Sequence, residues 1–257
     1  MMRAICVIPA RMASSRYPGK PLKPLLGLPL ILHVYRRCRL YAGFERVVIA
    51  TCDEEIRAAA AADGAEAVMT KHTHERATDR TEEAIAKLKL GLADDDLALM
   101  VQGDEILMTP QMADAVVSAF EKTRPPVVNL ASRIYRPEDH DDPNVVKVVV
   151  APDGRALYFS RAPIPSRARM KELVAHQQTG VIGFSAAFLQ RYSKLPPTPL
   201  EQAESCDMLR VLEHGLPIQI VTTDAETIGV DTPADHARAE KILAADPLTR
   251  RYLERAA

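Results

Sequence analysis

The 257-residue sequence has no Cys-x-x-Cys pair, no apolar run long enough to cross a membrane and almost no net charge. Its four cysteines are scattered, which argues against a disulfide framework and favours reduced thiols in a cytoplasmic protein. Lysine plus arginine number 33 against 34 aspartate plus glutamate, so no overall field favours nucleic acid or an anionic membrane as a partner. The apolar run before Pro9 is too short for a secretion signal, and we expect a soluble protein.

Several catalytic motifs are also missing. There is no Gly-x-Ser-x-Gly motif and no cysteine near a histidine in a motif, so the sequence does not indicate a protein nucleophile. Gly19-Lys20 is followed by Pro21 instead of Ser or Thr, which excludes a Walker loop. His72 and His74 lack a third ligand nearby in the sequence, and we interpret them as solvated side chains in preference to a zinc site.

The composition is that of a globular protein, with 47% hydrophobic and 26% charged residues. The first half alternates buried apolar runs with amphipathic segments, a pattern typical of a parallel sheet covered by helices on both faces. The sequence therefore predicts an α/β fold. The predicted strands are Ala4–Ile8, Arg46–Ala50, Ala65–Met69 and Asp96–Val101, and the predicted helices are Leu28–Leu40, Glu54–Ala62, one from Thr78, and Gln111–Lys122.

The pattern changes after residue 126. Three strand-like runs, Val127–Ile134, Val145–Val150 and Ala156–Phe159, follow without long helices, and Asp153-Gly154 is a hairpin turn signal. This predicts a mostly antiparallel extension, for which a subunit-contact arm and a simple sheet edge both stay open. The remaining predicted elements are helices at Ala186–Lys194 and Glu201–His214, a strand at Pro217–Thr222, and a last helix with Thr232 as N-cap and Pro233 in its first turn.

A cationic loop directly follows the first strand, at Val7–Pro21. Arg11, Arg16 and Lys20 supply positive charge, and Ser14 can donate a hydrogen bond. In α/β proteins a polar loop between a buried strand and a helix builds phosphate sites beyond the carboxyl end of the strand. We therefore favour a phosphate-binding loop over a merely solvated turn.

Two aspartates stand beyond predicted strands. Asp104 follows the strand that ends at Val101, and Asp231 comes soon after the strand that ends at Thr222. Magnesium prefers one or two carboxylates together with phosphate oxygens, so these residues and the cationic loop suggest a magnesium–nucleotide site. The alternative that Asp104 caps a turn and Asp231 caps the last helix stays open.

Longer motifs extend over nearly the whole chain. They are I-P-A-R-M-A-S-S-R-Y-P-G-K-P-L at Ile8–Leu22, A-T-D-R at Ala77–Arg80, Q-G-D-E at Gln102–Glu105, D-P-N-V-V-K-V-V at Asp142–Val149, L-Y-F-S-R-A-P-I-P at Leu157–Pro165, P-P-T-P-L-E-Q-A-E-S at Pro196–Ser205 and G-V-D-T-P-A-D at Gly229–Asp235. In sequence and in order these motifs resemble those of the 3-deoxy-manno-octulosonate (KDO) cytidylyltransferases, a branch of the CMP-sugar synthetases.

The resemblance implies one domain over residues 1–257 with a mostly parallel, Rossmann-like nucleotidyltransferase sheet and an inserted antiparallel dimerisation arm at about residues 130–175. It implies a homodimer that uses Mg²⁺ and transfers CMP from CTP to an acidic acceptor. The choice of cytosine rests on the resemblance alone. The implied nucleotide-binding residues are Pro9, Ala10, Arg11, Ser14, Arg16, Lys20, Ala77, Thr78, Arg80, Gln102 and Asp104.

The resemblance also implies catalytic roles for Arg11, Lys20, Asp104 and Asp231, of which the two aspartates would hold the metal. Arg161 would face the acid group of the acceptor. The other implied acceptor contacts are Arg76, Gln178, Ile182, Asp207 and Met208.

The chain departs from the family around the acceptor. Gln178, Ile182 and Met208 stand where the family has histidine, tyrosine and glutamine, and Arg76 replaces a serine. Unpaired sugar hydroxyls cost about 1–3 kcal/mol each, so these changes favour a small anionic acceptor such as a phosphonate (phosphonoformate-like). KDO or a modified ulosonic acid is the alternative within the class, and a non-catalytic nucleotide-binding protein is the alternative outside it.

Overall fold

The computed structural model describes residues 2–13, 16–170 and 174–254. The strands in these ranges are β1 (Ala4–Ala10), β2 (Pro24–Leu25), β3 (Leu28–Pro29), β4 (Arg46–Thr51), β5 (Ala67–Met69), β6 (Leu97–Val101), β7 (Val127–Arg133), β8 (Lys147–Val150), β9 (Ala156–Ser160), β10 (His176–Ser185) and β11 (Ile218–Thr223). The helices are α1 (Leu30–Cys38), α2 (Glu54–Ala62), α3 (Ala77–Leu88), α4 (Pro110–Thr123), α5 (Pro137–Asp141), α6 (Ala186–Tyr192), α7 (Pro199–Glu204), α8 (Asp207–Glu213), α9 (Pro233–Ala245) and α10 (Pro247–Leu253). A 3-10 turn spans Lys20–Leu22.

One mixed sheet organises the described part of the chain. Its main path runs in the order β11-β7-β10-β6-β1-β4-β5. Strands β11 and β7 pair in parallel, and so do β6, β1, β4 and β5, whereas β10 is antiparallel to both of its neighbours on this path. The predicted mostly parallel α/β sheet is therefore confirmed, with one reversed strand near its centre.

The central strand β1 is buried along its whole length. Cys6 and Ile8 pack into the larger hydrophobic cluster, while Ile5 and Val7 pack into a second cluster with side chains of α3. Because successive side chains of a strand point to opposite faces, β1 must be covered on both sides. This double burial explains the unbroken apolar run that the sequence shows there.

The predicted antiparallel extension is smaller than expected. The run from Val127 belongs to the main sheet, since β7 pairs in parallel with β11. The antiparallel part is the hairpin of β8 and β9, which joins the sheet through β10. The dimerisation arm at about residues 130–175 stays a prediction, and residues 171–173 of it lie outside the described residues.

The predicted helix Glu201–His214 is two helices. Ser205 has a φ of 48°, a left-handed conformation, and ends α7 before α8 begins at Asp207. The two following side chains, Cys206 and Asp207, consequently line a cleft that also receives the ends of β1 and β6.

Among the helices of the described ranges, none combines the length and the apolar character needed to span a bilayer.

Candidate functional site

A cleft of about 720 Å³ opens at the carboxyl ends of β1 and β6. Two loops reach it from these strands, and the beginning of β10 reaches it from the opposite direction. Most of the site residues expected from the sequence line this cleft, namely Pro9, Ala10, Arg11, Arg16, Lys20, Arg76, Ala77, Arg80, Gln102, Asp104, Arg161, Gln178, Ile182, Asp207 and Asp231. Of the other three, Ser14 lies outside the described residues, and Thr78 and Met208 are buried away from the cleft surface.

Lys20 lies between the two aspartates expected to hold a metal. Its ammonium is 2.7 Å from Oδ2 of Asp104 and 3.1 Å from Oδ1 of Asp231. Burial disfavours the charge of Lys20, but the two carboxylates outweigh burial and raise the pKa of the ammonium. Lys20 is therefore held in its charged form beside both acids.

The backbone of the cationic loop explains where Lys20 points. Gly19 adopts φ 70°, a conformation that costs glycine no steric strain, and the 3-10 turn Lys20–Leu22 begins directly after it. The Gly19 N–H donates to the carbonyl of Met12 at 3.2 Å and closes the loop. This closure directs Lys20 back toward the end of β6.

Two further arginines of the loop line the cleft. Arg16 donates to Asn144 Oδ1 at 2.8 Å and lies 2.9 Å from Oδ2 of Asp231. Arg11 is exposed at the cleft surface. The loop thus brings positive charge to the same point as the two acids, as the sequence predicted.

The alternative in which Asp104 caps a turn and Asp231 caps the last helix does not match the contacts of the two side chains. Thr232 is the N-cap of α9 and forms a capping box with Asp235, which leaves the Asp231 carboxylate facing Lys20 and Arg16. The segment before α9 is tied to the other acid, because the Val230 N–H donates to the carbonyl of Asp104 at 3.4 Å. Both carboxylates are consequently presented to the cleft.

Glu105 was not singled out from the sequence and is buried beside this site. Its carboxyl group accepts a hydrogen bond from the backbone N–H of Gly180 on β10. Burial, followed by the nearby charge of Asp104, raises the pKa of Glu105 to about 8. Gly180 approaches so closely that a Cβ there would lie 2.6 Å from Cβ of Gln102, so glycine is required for this contact. Glu105 and Gly180 thus join the segment that follows β6 to the beginning of β10 across the cleft.

The residues expected around the cytidine are partly occupied by internal contacts. Thr78 is fully buried and donates to Oδ2 of Asp207 at 3.0 Å. The Arg80 guanidinium donates to Thr70 Oγ1 and to the carbonyls of Lys71 and His74, at 3.3 and 3.4 Å for the carbonyls. These two residues shape the loop that borders the cleft, and their contacts with a base stay predictions.

Arg76 is held by acids. Its Nη1 lies 3.4 Å from Oδ1 of Asp207 and its Nε lies 3.8 Å from Oε1 of the buried Glu201. Burial raises the pKa of Asp207, although Arg76 and Thr78 act in the opposite direction. Because its charge is already opposed by carboxylates, Arg76 gives little support for an especially anionic acceptor.

Arg161 and Gln178, which the sequence predicts as acceptor contacts, line the cleft and are fixed by neighbouring residues. Arg161 donates to the carbonyls of Glu204, Pro143 and Ser205 at 2.6, 2.8 and 3.4 Å. Gln178 donates to Asn129 Oδ1 at 2.9 Å. These contacts hold both side chains in place at the cleft wall.

Two apolar residues expected at the acceptor differ in position. Ile182 lines the cleft although its side chain is nearly buried. Met208 has no exposed surface and packs in the hydrophobic cluster beneath β10, so its predicted contact with an acceptor finds no support in this placement.

Lys147 contacts three residues that line the cleft, and it was not singled out from the sequence. It is fully buried, and its ammonium donates to the carbonyls of Asp142, Val145 and Arg161 at 2.8, 2.7 and 2.6 Å. Burial lowers its pKa, against the opposing effect of Asp142. Lys147 thereby fixes the loop that carries Asn144 to Arg16. The D-P-N-V-V-K motif was the signal that could have identified it.

Comparison with known proteins places these features in a family. The model of a family described as "Cytidylyltransferase" matches residues 5–226. A 3-deoxy-manno-octulosonate cytidylyltransferase of Syntrophobacter fumaroxidans is 43% identical over 95% of this chain and 98% of its own length. An 8-amino-3,8-dideoxy-manno-octulosonate cytidylyltransferase of Shewanella sp. (strain ANA-3) is 40% identical over 95% of this chain and 100% of its own. A solved structure of CMP:2-keto-3-deoxy-manno-octonic acid synthetase complexed with CTP superposes with a TM-score of 0.86 at 37% identity, covering 95% of this chain and 99% of that one.

Proposed function

Because the chain belongs to the cytidylyltransferase family, we propose that it transfers CMP from CTP to 3-deoxy-manno-octulosonate or to a modified form of that acid, with release of pyrophosphate. The observation that carries the proposal is the position of Lys20 between Asp104 and Asp231, at the end of the cationic loop. Positive charge and paired carboxylates at one edge of a parallel sheet are the groups that nucleotidyl transfer needs.

The triphosphate of CTP binds along the cationic loop. Arg11 and Arg16 neutralise phosphate charge from the exposed side, and Lys20 leaves the two aspartates to contact phosphate oxygens. Gln102 and Arg80 border the space for the base and ribose. This arrangement stabilises the charge that develops on the phosphates and on the leaving pyrophosphate.

Asp104 and Asp231 are the residues that would hold a divalent cation, with Mg²⁺ as the expected ion. The fit follows from the donor set: two carboxylates converge on one cationic group, and both expose oxygens to the cleft. When bound, such an ion supplies Lewis-acid neutralisation of the phosphate oxygens.

The acceptor acid binds on the opposite wall, beside Arg161 and Gln178. Its own anionic oxygen attacks the α-phosphorus in line, forming the new P–O bond while the bond to the pyrophosphate breaks. The protein provides no covalent nucleophile and contributes by positioning and charge.

The phosphonate acceptor expected from the substituted pocket is unsupported. Arg76 lines the cleft but is already opposed by Asp207 and Glu201, and Met208 does not reach the cleft, so two of the substitutions behind that expectation give it little support. The names of the two curated relatives favour an octulosonic acid, with or without an amino group.

We also propose that the protein is a cytoplasmic homodimer. Leu157 and Met170 are 58% and 60% exposed, and both lie in the segment expected to form the dimerisation arm. The four cysteines, all free and buried, fit a reducing compartment. Measuring the mass in solution tests the dimer, and a Leu157→Lys substitution is expected to weaken it.

A pyrophosphate-release assay tests the proposed reaction. CTP and magnesium are supplied with 3-deoxy-manno-octulosonate, with its 8-amino derivative, or with phosphonoformate. Turnover with either sugar acid and none with the phosphonate is expected. Turnover confined to phosphonoformate would support the phosphonate acceptor expected from the sequence. CTP binding without turnover of any of the three acids would favour a non-catalytic nucleotide-binding protein.

A further inference from the structure

Three potential metal ligands meet outside the cleft. Cys52 and Asp53 directly follow β4, and His72 lies in the loop after β5. The thiol sulfur, a carboxylate oxygen and an imidazole nitrogen of these residues all lie within 4.8 Å of one another. Among the described residues that line the cleft, none is a member of this group. The sequence did not reveal this group, because Cys52 and Asp53 are distant from His72 in the chain and only the sheet brings them together.

The sheet explains why these residues meet. Strands β4 and β5 are parallel neighbours, with Thr51 opposite Met69. The Thr70 N–H then donates to the carbonyl of Thr51 at 2.7 Å, which keeps the segments after β4 and β5 together beyond the last paired residues. Cys52 and Asp53 lie in the segment after β4, and His72 lies in the segment after β5. Their proximity is thus fixed by backbone pairing.

The donor set is that of a borderline or soft metal. Thiolate, imidazole and carboxylate are the ligands of Zn²⁺, whereas Mg²⁺ prefers oxygen ligands. Zinc bond lengths place neighbouring ligands of a tetrahedral site about 3.5 Å apart, so only a small contraction is needed. His72 is exposed in a loop and can supply that movement.

We propose that Cys52, Asp53 and His72 form a binding site for a thiophilic divalent cation such as Zn²⁺, separate from the Asp104–Asp231 site. The Cys52 thiol loses its proton to solvent on binding, and its sulfur, one carboxylate oxygen and the neutral imidazole each donate an electron pair to the ion. Water completes the fourth position. No electron is transferred to or from the protein.

Asp53 links this site to the cationic loop. Its Oδ2 accepts the backbone N–H of Met12 at 2.7 Å, and the carbonyl of Met12 accepts the N–H of Gly19. An ion that draws on the Asp53 carboxylate competes with the bond to Met12 and loosens the loop that ends at Lys20. Occupancy of the site therefore lowers the affinity for CTP, an effect that rests on the proposed function.

Cobalt is the probe for the site, because a cobalt–thiolate bond gives a charge-transfer absorption band in the near ultraviolet. Co²⁺ is titrated into the full chain with magnesium in excess, so that oxygen-only sites are occupied. One equivalent of Co²⁺ should produce the band in the natural sequence. Cys52→Ser should abolish it, and Zn²⁺ should displace the cobalt.

His72→Ala is the second variant, because its exposed ring can be removed without disturbing the core. We expect its affinity for Zn²⁺, measured by competition with Co²⁺, to fall at least about 10-fold. His214→Ala, which removes a half-buried histidine at the C-terminal end of α8, is the control and should bind Zn²⁺ normally. No band in the natural sequence, or a band that persists in Cys52→Ser, would overturn the site.

The link between the proposed metal site and the cationic loop is tested by measuring CTP affinity, without using turnover as the readout. One equivalent of Zn²⁺ should weaken CTP binding about 10-fold in the natural sequence, and this effect should disappear in His72→Ala. An unchanged CTP affinity would overturn the link while leaving the metal site intact. A protein that binds cobalt with the thiolate band but never binds CTP would instead contradict the proposed function.

Discussion

The ammonium of Lys20 lies 2.7 Å from Oδ2 of Asp104, although 84 positions separate the two residues. Asp231 completes the group at 3.1 Å. In this state the lysine compensates two carboxylates that would otherwise repel each other. If the proposed phosphate site is correct, this charged, half-buried lysine needs only to exchange partners when a nucleotide binds.

Replacing Lys20 with methionine is expected to lower kcat/KM for pyrophosphate release about 100- to 1,000-fold. The reason is that the variant lacks the preorganised positive charge that would stabilise the leaving pyrophosphate. Initial rates over a range of CTP concentrations measure this. Lys23→Met is the control, because the Lys23 ammonium faces the ring of Tyr17 and does not line the cleft. Equal losses in both variants would contradict the assigned role.

Asp104→Asn should reduce turnover at least about 100-fold while CTP binding is partly retained, because the amide is a poor ligand for a hard divalent cation. Turnover and CTP affinity are measured separately over a magnesium titration. Asp114→Asn, on the exposed face of α4, supplies the control. A near-normal rate for Asp104→Asn would rule out this carboxylate as a metal ligand.

Lys147→Met should destabilise the fold by about 2–4 kcal/mol, because three carbonyls lose their buried donor. The loop that holds Asn144 and the backbone of Arg161 should loosen, so we expect KM for the acceptor to rise more than KM for CTP. Denaturant unfolding and the two KM values are the measurements. The exposed Lys122→Met change should leave all three quantities unaltered.

His33 predicts an acid-sensitive contribution to stability. Burial lowers the pKa of His33 to about 4, and the neutral ring contacts the Tyr252 hydroxyl and the Leu25 carbonyl at 2.7 and 2.8 Å. The unfolded chain, with a histidine pKa near about 6.5, binds more protons between these two values. The contribution is therefore complete above the unfolded pKa and is lost as pH falls toward 4.

Between about pH 7.5 and pH 4.5 this loss amounts to about 2–3 kcal/mol. We expect His33→Gln to be less stable at the higher pH and to lose less stability on acidification than the natural sequence. Urea unfolding at both pH values measures the difference. Parallel losses in the two proteins would assign the acid sensitivity to other groups.

Local pattern was sufficient for much of the fold. Helix α2 begins and ends where its acidic first turn and the following glycine predict, because those signals act on neighbouring residues. The cationic loop was recognisable for the same reason. The reversed direction of β10 was not predictable, since its partners β6 and β7 are distant in the chain and the pairing is decided by packing.

The site shows the same division. Lys20, Asp104 and Asp231 follow strands or motifs, so their convergence could be predicted from the sheet. The motif around Met208 could not predict whether this side chain faces the cleft or the core. The break at Ser205 starts a new helix, and this break determines which side of α8 faces the core. Lys147 was missed since a lysine on a strand ordinarily reaches solvent.

The reversed strand also has a consequence for how the protein can change. The parallel strands β1 and β6 bring their carboxyl ends to the proposed nucleotide site, whereas β10 brings its beginning, with Gln178 and Gly180, to the proposed acceptor wall. The long segment before β10 thus leads directly into the acceptor wall. Insertions or substitutions there can alter which acid is accepted while the strand ends that hold the nucleotide keep their sequence. In such a fold, substrate preference can diverge faster than the reaction.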